Sequence, residues 1–102
     1  MITKLTKENF TETTSKGFVI VDFYAEWCSP CRVLGKTLDK MSDELSDVTI
    51  AKCDIEENRE LAEKFGVRNI PLMAYIKDGN AVAVTVGLQT EQQILEKINE
   101  LK

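Results

Sequence analysis

Phe18-Val19-Ile20-Val21-Asp22-Phe23-Tyr24-Ala25-Glu26-Trp27-Cys28-Ser29-Pro30-Cys31 is the stretch whose reading decides how this chain folds. Its first seven residues form an apolar run of strand length broken by one carboxylate, the pattern of a central strand covered on both faces. Past Cys28 the apolar spacing becomes helical. Leu34, Leu38, Met41 and Leu45 recur at intervals of four, three and four, which gathers them on one face. A buried strand thus runs into an amphipathic helix, with two cysteines at the junction.

Working outward, Ile2–Leu5 predicts a brief strand, followed by a short helix over Lys7–Ser15 with Thr6 as its N-cap. Val48–Ile55 predicts a strand and Asn58–Phe65 a short helix, with Gly66 placed where a left-handed cap commonly ends one. Leu72–Lys77 and Ala81–Val86 flank Asp78-Gly79-Asn80, a hairpin signal. Thr90 and Gln93 make a capping box for a last helix with Ile94, Ile98 and Leu101 as its buried stripe. The order is β-α-β-α-β-α-β-β-α. Strands joined by helices imply parallel neighbours and the late hairpin antiparallel ones, so the expected object is a mixed central sheet with helices on both faces.

The bulk numbers narrow the function classes. With 102 residues there is room for one domain, spanning 1–102, and 43 % apolar residues suffice for one core. A net charge of −4, with Arg32 and Lys36 as the strongest local basic pairing, argues against nucleic acid as a partner. No run approaches a membrane span. The stretch Met1–Glu8 lacks the apolar segment of a secretory leader, so the expected setting is the cytoplasm. Three cysteines in that compartment do not suggest a framework of structural disulfides.

The chemistry concentrates at Trp27-Cys28-Ser29-Pro30-Cys31. Residues three apart at a helix start share a face, which lets the two sulfurs approach bonding distance. Cys28 stands at the positive end of the helix dipole, where a thiolate is stabilised, and is the attacking group. Cys31 lies deeper and resolves the mixed disulfide. Pro30 suits the first turn, and Ser29 suits the N-cap. Two plainer readings compete: half a zinc site, or two inert buried thiols. Zinc would need two more ligands, and the chain has no histidine and only Cys53 to add.

Asp22 is the second feature, because a carboxylate inside a buried strand is costly. Its spacing places it beneath the cysteine pair. It is either a proton relay for Cys31 with a raised pKa, or a structural aspartate that pairs with a lysine or faces solvent. The third is Ile70-Pro71 before the Leu72 strand. Proline is tolerated at a strand's first residue, while a cis bond there would free the backbone of Ile70 to pair with an extended substrate. The spacing leaves that geometry open. Cys53, alone in its strand, reads as a small inert hydrophobe.

Taken together, these residues resemble the thioredoxin family over essentially the whole chain. The resemblance rests on Val21-Asp22-Phe23-Tyr24-Ala25-Glu26-Trp27-Cys28, Cys31 after Pro30, Lys52-Cys53-Asp54, Gly66-Val67-Arg68-Asn69-Ile70-Pro71, Lys77-Asp78-Gly79 and Val86-Gly87. It implies an α/β fold with a five-stranded mixed sheet and four helices, and a monomer that reduces disulfides in other proteins. It implies nucleophilic Cys28, resolving Cys31, buried Asp22 with Lys52 as its neighbour, and a cis Pro71. Trp27, Ser29, Pro30, Ile70, Pro71 and Gly87 would meet the substrate. The expected partners are disulfide-containing clients and a thioredoxin reductase, either an NADPH flavoenzyme or a ferredoxin-linked one, with no bound cofactor or metal.

Three departures from the family pattern stand out. Ser29 replaces the usual glycine between the cysteines and brings a hydroxyl able to donate to a thiolate. Gly35-Lys36 stands where the helix commonly carries a proline, which predicts a weaker kink or one centred on Gly35. Leu72 follows Pro71 where threonine is common. Two other functions remain in competition: an oxidising or isomerising relative, which often carries histidine between its cysteines, and a non-redox binding module using the same groove.

Overall fold

The computed structural model describes residues 2–102; Met1, at the start of the N-terminal stretch discussed above, lies outside the described residues. The elements are β1 (Thr3–Lys4), α1 (Phe10–Thr14), β2 (Phe18–Tyr24), α2 (Ser29–Glu44), β3 (Val48–Asp54), α3 (Arg59–Lys64), β4 (Leu72–Lys77), β5 (Asn80–Val86) and α4 (Glu91–Leu101). Five strands form one sheet in the order β1-β3-β2-β4-β5. β3 runs parallel to both β1 and β2, while β4 is antiparallel to β2 and β5. The α/β order expected from the sequence is the order observed.

Strand alternation divides the core into two layers. Val19, Val21 and Phe23 of β2 point toward Phe10 of α1 and Leu61 of α3, with Phe65 packed against them. Phe18 and Ile20 point to the other face, among Leu34, Leu38 and Met41 of α2 and Ile94 and Ile98 of α4. Leu34 and Leu38 are no more than 1 % exposed, which secures α2 across the sheet; each such side chain contributes about 1.5–3 kcal/mol. Asp22 has the parity of Phe18 and Ile20, so it faces α2. That is why a carboxylate ends up under the helix that carries the cysteines.

Several boundaries differ from the sequence expectation for local reasons. α1 begins at Phe10 rather than Lys7. The Thr6 amide donates to Asn9 Oδ1 at 2.8 Å and the Asn9 amide to Thr6 Oγ1 at 3.3 Å, which closes a turn before the helix starts. Thr6 therefore caps a turn. β1 contracts to Thr3–Lys4, which pair with Ala51 and Lys52 of β3. Asn58 and Phe65 flank α3 as its caps. Asn80 pairs with Lys77, leaving Asp78 and Gly79, both with positive φ, as the two-residue turn. Leu101 is half-buried, while Ile94 and Ile98 carry the stripe.

The Thr90–Gln93 capping box is formed in both directions, at 2.8 and 3.1 Å. Lys40 of α2 reaches Glu91 of α4 at 2.7 Å, and Lys102 pairs with Asp47. Among the described residues no helix is long and apolar enough to cross a membrane.

Candidate active site

β2 ends at Tyr24, and the chain turns over Ala25–Trp27 into α2. Cys28 is the N-cap of that helix: its backbone is extended, and its sulfur accepts from the Cys31 amide at 3.3 Å. This corrects the expectation of Ser29 as N-cap. Sulfur takes the capping role, so Ser29 and Pro30 become the first helical residues, where proline's missing N–H costs nothing.

Cys28 and Cys31 are joined by a disulfide, with Cα atoms 5.2 Å apart. Both are buried. Trp27 beside them is 65 % exposed, an unusual position for the one tryptophan of the chain. The Ser29 hydroxyl does not turn toward the sulfurs. It accepts from Arg32 at 3.1 Å, and a second guanidinium nitrogen of Arg32 donates to the Glu26 carbonyl at 2.9 Å. Arg32 thus ties the loop before the disulfide to the helix after it. In the sequence Arg32 stands out only as part of a small basic patch with Lys36, and its three-residue spacing from Ser29 is the signal for this contact.

The segment before β4 completes the surface. The Ile70–Pro71 peptide is cis. The Ile70 carbonyl oxygen lies 4.0 Å from Cys28 Sγ, and the Gly87 amide donates to the Pro71 carbonyl at 2.8 Å. Trp27, Cys28, Ile70, Pro71 and Gly87 are brought to one end of the sheet, with Ser29 and Pro30 exposed beside them. Gly87 has φ +94, a conformation that L side chains rarely adopt, so glycine is what lets the loop meet Pro71.

On the α2 side, a cavity of about 150 Å³ runs beneath the disulfide, lined among others by Asp22, Tyr24, Cys31, Arg32 and Lys52. Asp22 is 4 % exposed, and its Oδ1 is buried with no hydrogen-bond partner in the protein. Burial pushes its pKa up to about 7, an effect only partly offset by the positive charge of Lys52. Lys52 is the Cα partner of Asp22 across β2 and β3, and its Nζ lies 5.8 Å from the Tyr24 ring centroid. The alternative of an aspartate facing solvent is removed by this burial. Cys53 is fully buried, and burial raises its thiol pKa to about 11. Among the described residues no group of three or more His, Cys, Asp or Glu is arranged to hold a metal ion.

A central strand that delivers a cysteine pair to the first turn of a helix, beside a loop holding a cis proline, defines a dithiol–disulfide exchange protein. Comparison with known proteins gives the family. The thioredoxin family model matches residues 1–100. The chain is 43 % identical to a thioredoxin of Chlamydia pneumoniae over 100 residues, covering 98 % of each. It is 38 % identical to a thioredoxin of Bacillus subtilis over 100 residues, covering 97 % of this chain and 96 % of the relative. A thioredoxin of Listeria monocytogenes is 36 % identical over 101 residues, with 98 % of each covered. The chain belongs to the thioredoxin family. It is a protein disulfide oxidoreductase that reduces disulfides in target proteins through Cys28 and Cys31, and its redox group is that disulfide. Family membership also implies disulfide-containing clients and a thioredoxin reductase as partners.

Proposed function

We propose that Cys28 is the nucleophile and Cys31 the resolving thiol, with Asp22 as proton acceptor, in a chain that works as one domain, as a monomer, in the cytoplasm. The observation that carries this reading is the placement of a buried, partnerless carboxylate oxygen in a cavity that also contains Cys31. Cys28 caps the helix, so in the reduced protein its thiolate meets the dipole's positive end and the Cys31 amide. It attacks one client sulfur, expelling the other as a thiolate and forming a mixed disulfide. Asp22 then takes the Cys31 proton. The Cys31 thiolate bonds to Cys28, and the second client sulfur departs. Two electrons have passed from the protein's sulfurs to the client, whose two thiolates take protons from water, while the Cys31 proton rests on Asp22 until the carboxyl ionises again.

Trp27, Ser29, Pro30, Ile70, Pro71 and Gly87 form the client groove in this reading. The Ile70 carbonyl lies 4.0 Å from Cys28 Sγ, so an extended client segment paired with the Ile70 backbone would run past the disulfide. Lys52 tempers the carboxylate of Asp22 by its charge. Recharging comes from an NADPH flavoenzyme or a ferredoxin-linked reductase, and the two are separated by supplying each in turn. The test is turnover of disulfide-bonded insulin with either reductase. Cys28→Ser should abolish turnover, and Cys31→Ser should stop it at a covalent adduct through Cys28. No insulin turnover by the wild type, together with partner binding that the double substitution leaves unchanged, would leave only a binding module.

A further inference from the structure

Asp22 is reached by more than one cavity. Besides the space beneath the disulfide, a smaller one of about 50 Å³ also has Asp22 in its lining, with Ile2, Gly35, Leu38, Asp39 and Lys52 among others. Asp22, Gly35 and Lys52 line both spaces. Asp39 and Lys52 are exposed, so the smaller cavity reaches the surface between α2 and β3. None of Trp27, Ile70, Pro71 or Gly87 borders either space.

We propose that Gly35, by having no side chain, keeps open a second water route to Asp22 between α2 and β3, through which the carboxyl sheds its proton while a client covers the disulfide. This rests on the reading of Asp22 as proton acceptor. The larger cavity opens beside Cys31 and Arg32, at the disulfide that the client engages. The smaller one leaves toward Asp39 and Ile2, away from the groove. In the resolving step Cys31 passes its proton to Asp22 and its thiolate bonds to Cys28. The client sulfur departs as a thiolate and is protonated by water, and Asp22 returns to the carboxylate by releasing its proton into the Gly35 cavity. Gly35 is thus a positioning residue, acting on the water that reaches Asp22. A Cβ built on Gly35 meets nothing within 4 Å, so a methyl group enters free space.

The groups that bear on this titration come from every neighbouring element. Lys52 and Cys53 belong to β3, Tyr24 to β2, Glu26 to the loop, and Cys31, Arg32 and Asp39 to α2. Neither Gly35→Ala nor Gly35→Leu changes any of these charges, so a changed Asp22 titration in either variant reports the water in the spaces that Gly35 lines. The raised position of the carboxyl midpoint, about 7 with burial as its cause, makes neutral pH the sensitive range.

The test is the Asp22 carboxyl titration, followed by ¹³C resonance in the oxidised protein, for wild type, Gly35→Ala and Gly35→Leu, beside the pH profile of insulin reduction. Filling the space should raise the Asp22 midpoint in the order glycine, alanine, leucine, and move the turnover profile upward with it. A rise of about one pH unit would cut the ionised fraction at pH 7 from about half to about one tenth, a five-fold slowing. If leucine fails to fold, alanine carries the test. Variants that change the unfolding midpoint but leave the Asp22 titration in place overturn the route and leave the relay standing. Asp22→Asn with an unchanged turnover profile overturns the relay and the route with it.

Discussion

Replacing Asp22 by asparagine keeps the shape of the side chain and removes its ability to ionise. In the native protein burial holds the carboxyl pKa near 7, against an ordinary value of 3.8. Between about pH 4 and 7 the folded chain therefore keeps a proton that the unfolded chain has released. Stability from this group is complete below about pH 4 and falls as pH rises through 7. At about 1.4 kcal/mol per pH unit, the native state above pH 8 carries a cost on the order of 4 kcal/mol for the buried charge. Asp22→Asn removes that cost. Urea unfolding of the oxidised proteins at matched pH should show near-equal stabilities at pH 4 and an advantage for the variant that grows with pH, reaching a few kcal/mol by pH 8. A structural aspartate held by Lys52 would behave in the opposite way, with the variant less stable at neutral pH. A stability difference that is flat with pH, or one that favours wild type at pH 8, refutes the reasoning.

Other expectations follow from single contacts. Thr90→Ala removes one arm of the α4 capping box and should cost about 1 kcal/mol in chemical denaturation. Leu38→Ala empties a fully enclosed site between α2 and the sheet, and a loss of about 2–5 kcal/mol is expected by the same method. Cys53, buried with its pKa raised to about 11, should resist a thiol reagent in the folded oxidised protein at pH 8 and react only on unfolding. Trp27→Ala, at a site 65 % exposed, should leave the unfolding midpoint within about 0.5 kcal/mol of wild type while raising the KM for protein clients.

The sequence made the architecture readable because its local and long-range signals agree. The continuous apolar runs of β2 and β4 belong to strands that the structure covers on both faces, while the run in β5 lies at the sheet edge with Val82, Val84 and Val86 exposed, and the four-three-four spacing in α2 points at β2 and β3. The paired thiols were equally legible, since three-residue spacing at a helix start has few other uses. What escaped were decisions between competing polar groups. Ser29 and Cys28 both could cap α2, and the sulfur prevails while the hydroxyl turns to Arg32. Thr6 and Asn9 exchange bonds with each other's backbone, so the first turn closes before α1 begins. The burial of Asp22 follows from strand parity once β2 is known to be central. Its partnerless oxygen and the cavities beside it depend on how α2 settles on the sheet, which no local pattern encodes.

The measurement that bears most directly on the central claim is the midpoint reduction potential of the Cys28–Cys31 pair, poised against glutathione and a thioredoxin of known potential. A chain that reduces client disulfides must hold its electrons more weakly than its clients do. The expected value lies below a cytosolic glutathione poise of about −220 to −260 mV. A midpoint near about −180 mV or higher would make the same fold an oxidant or isomerase and contradict the account.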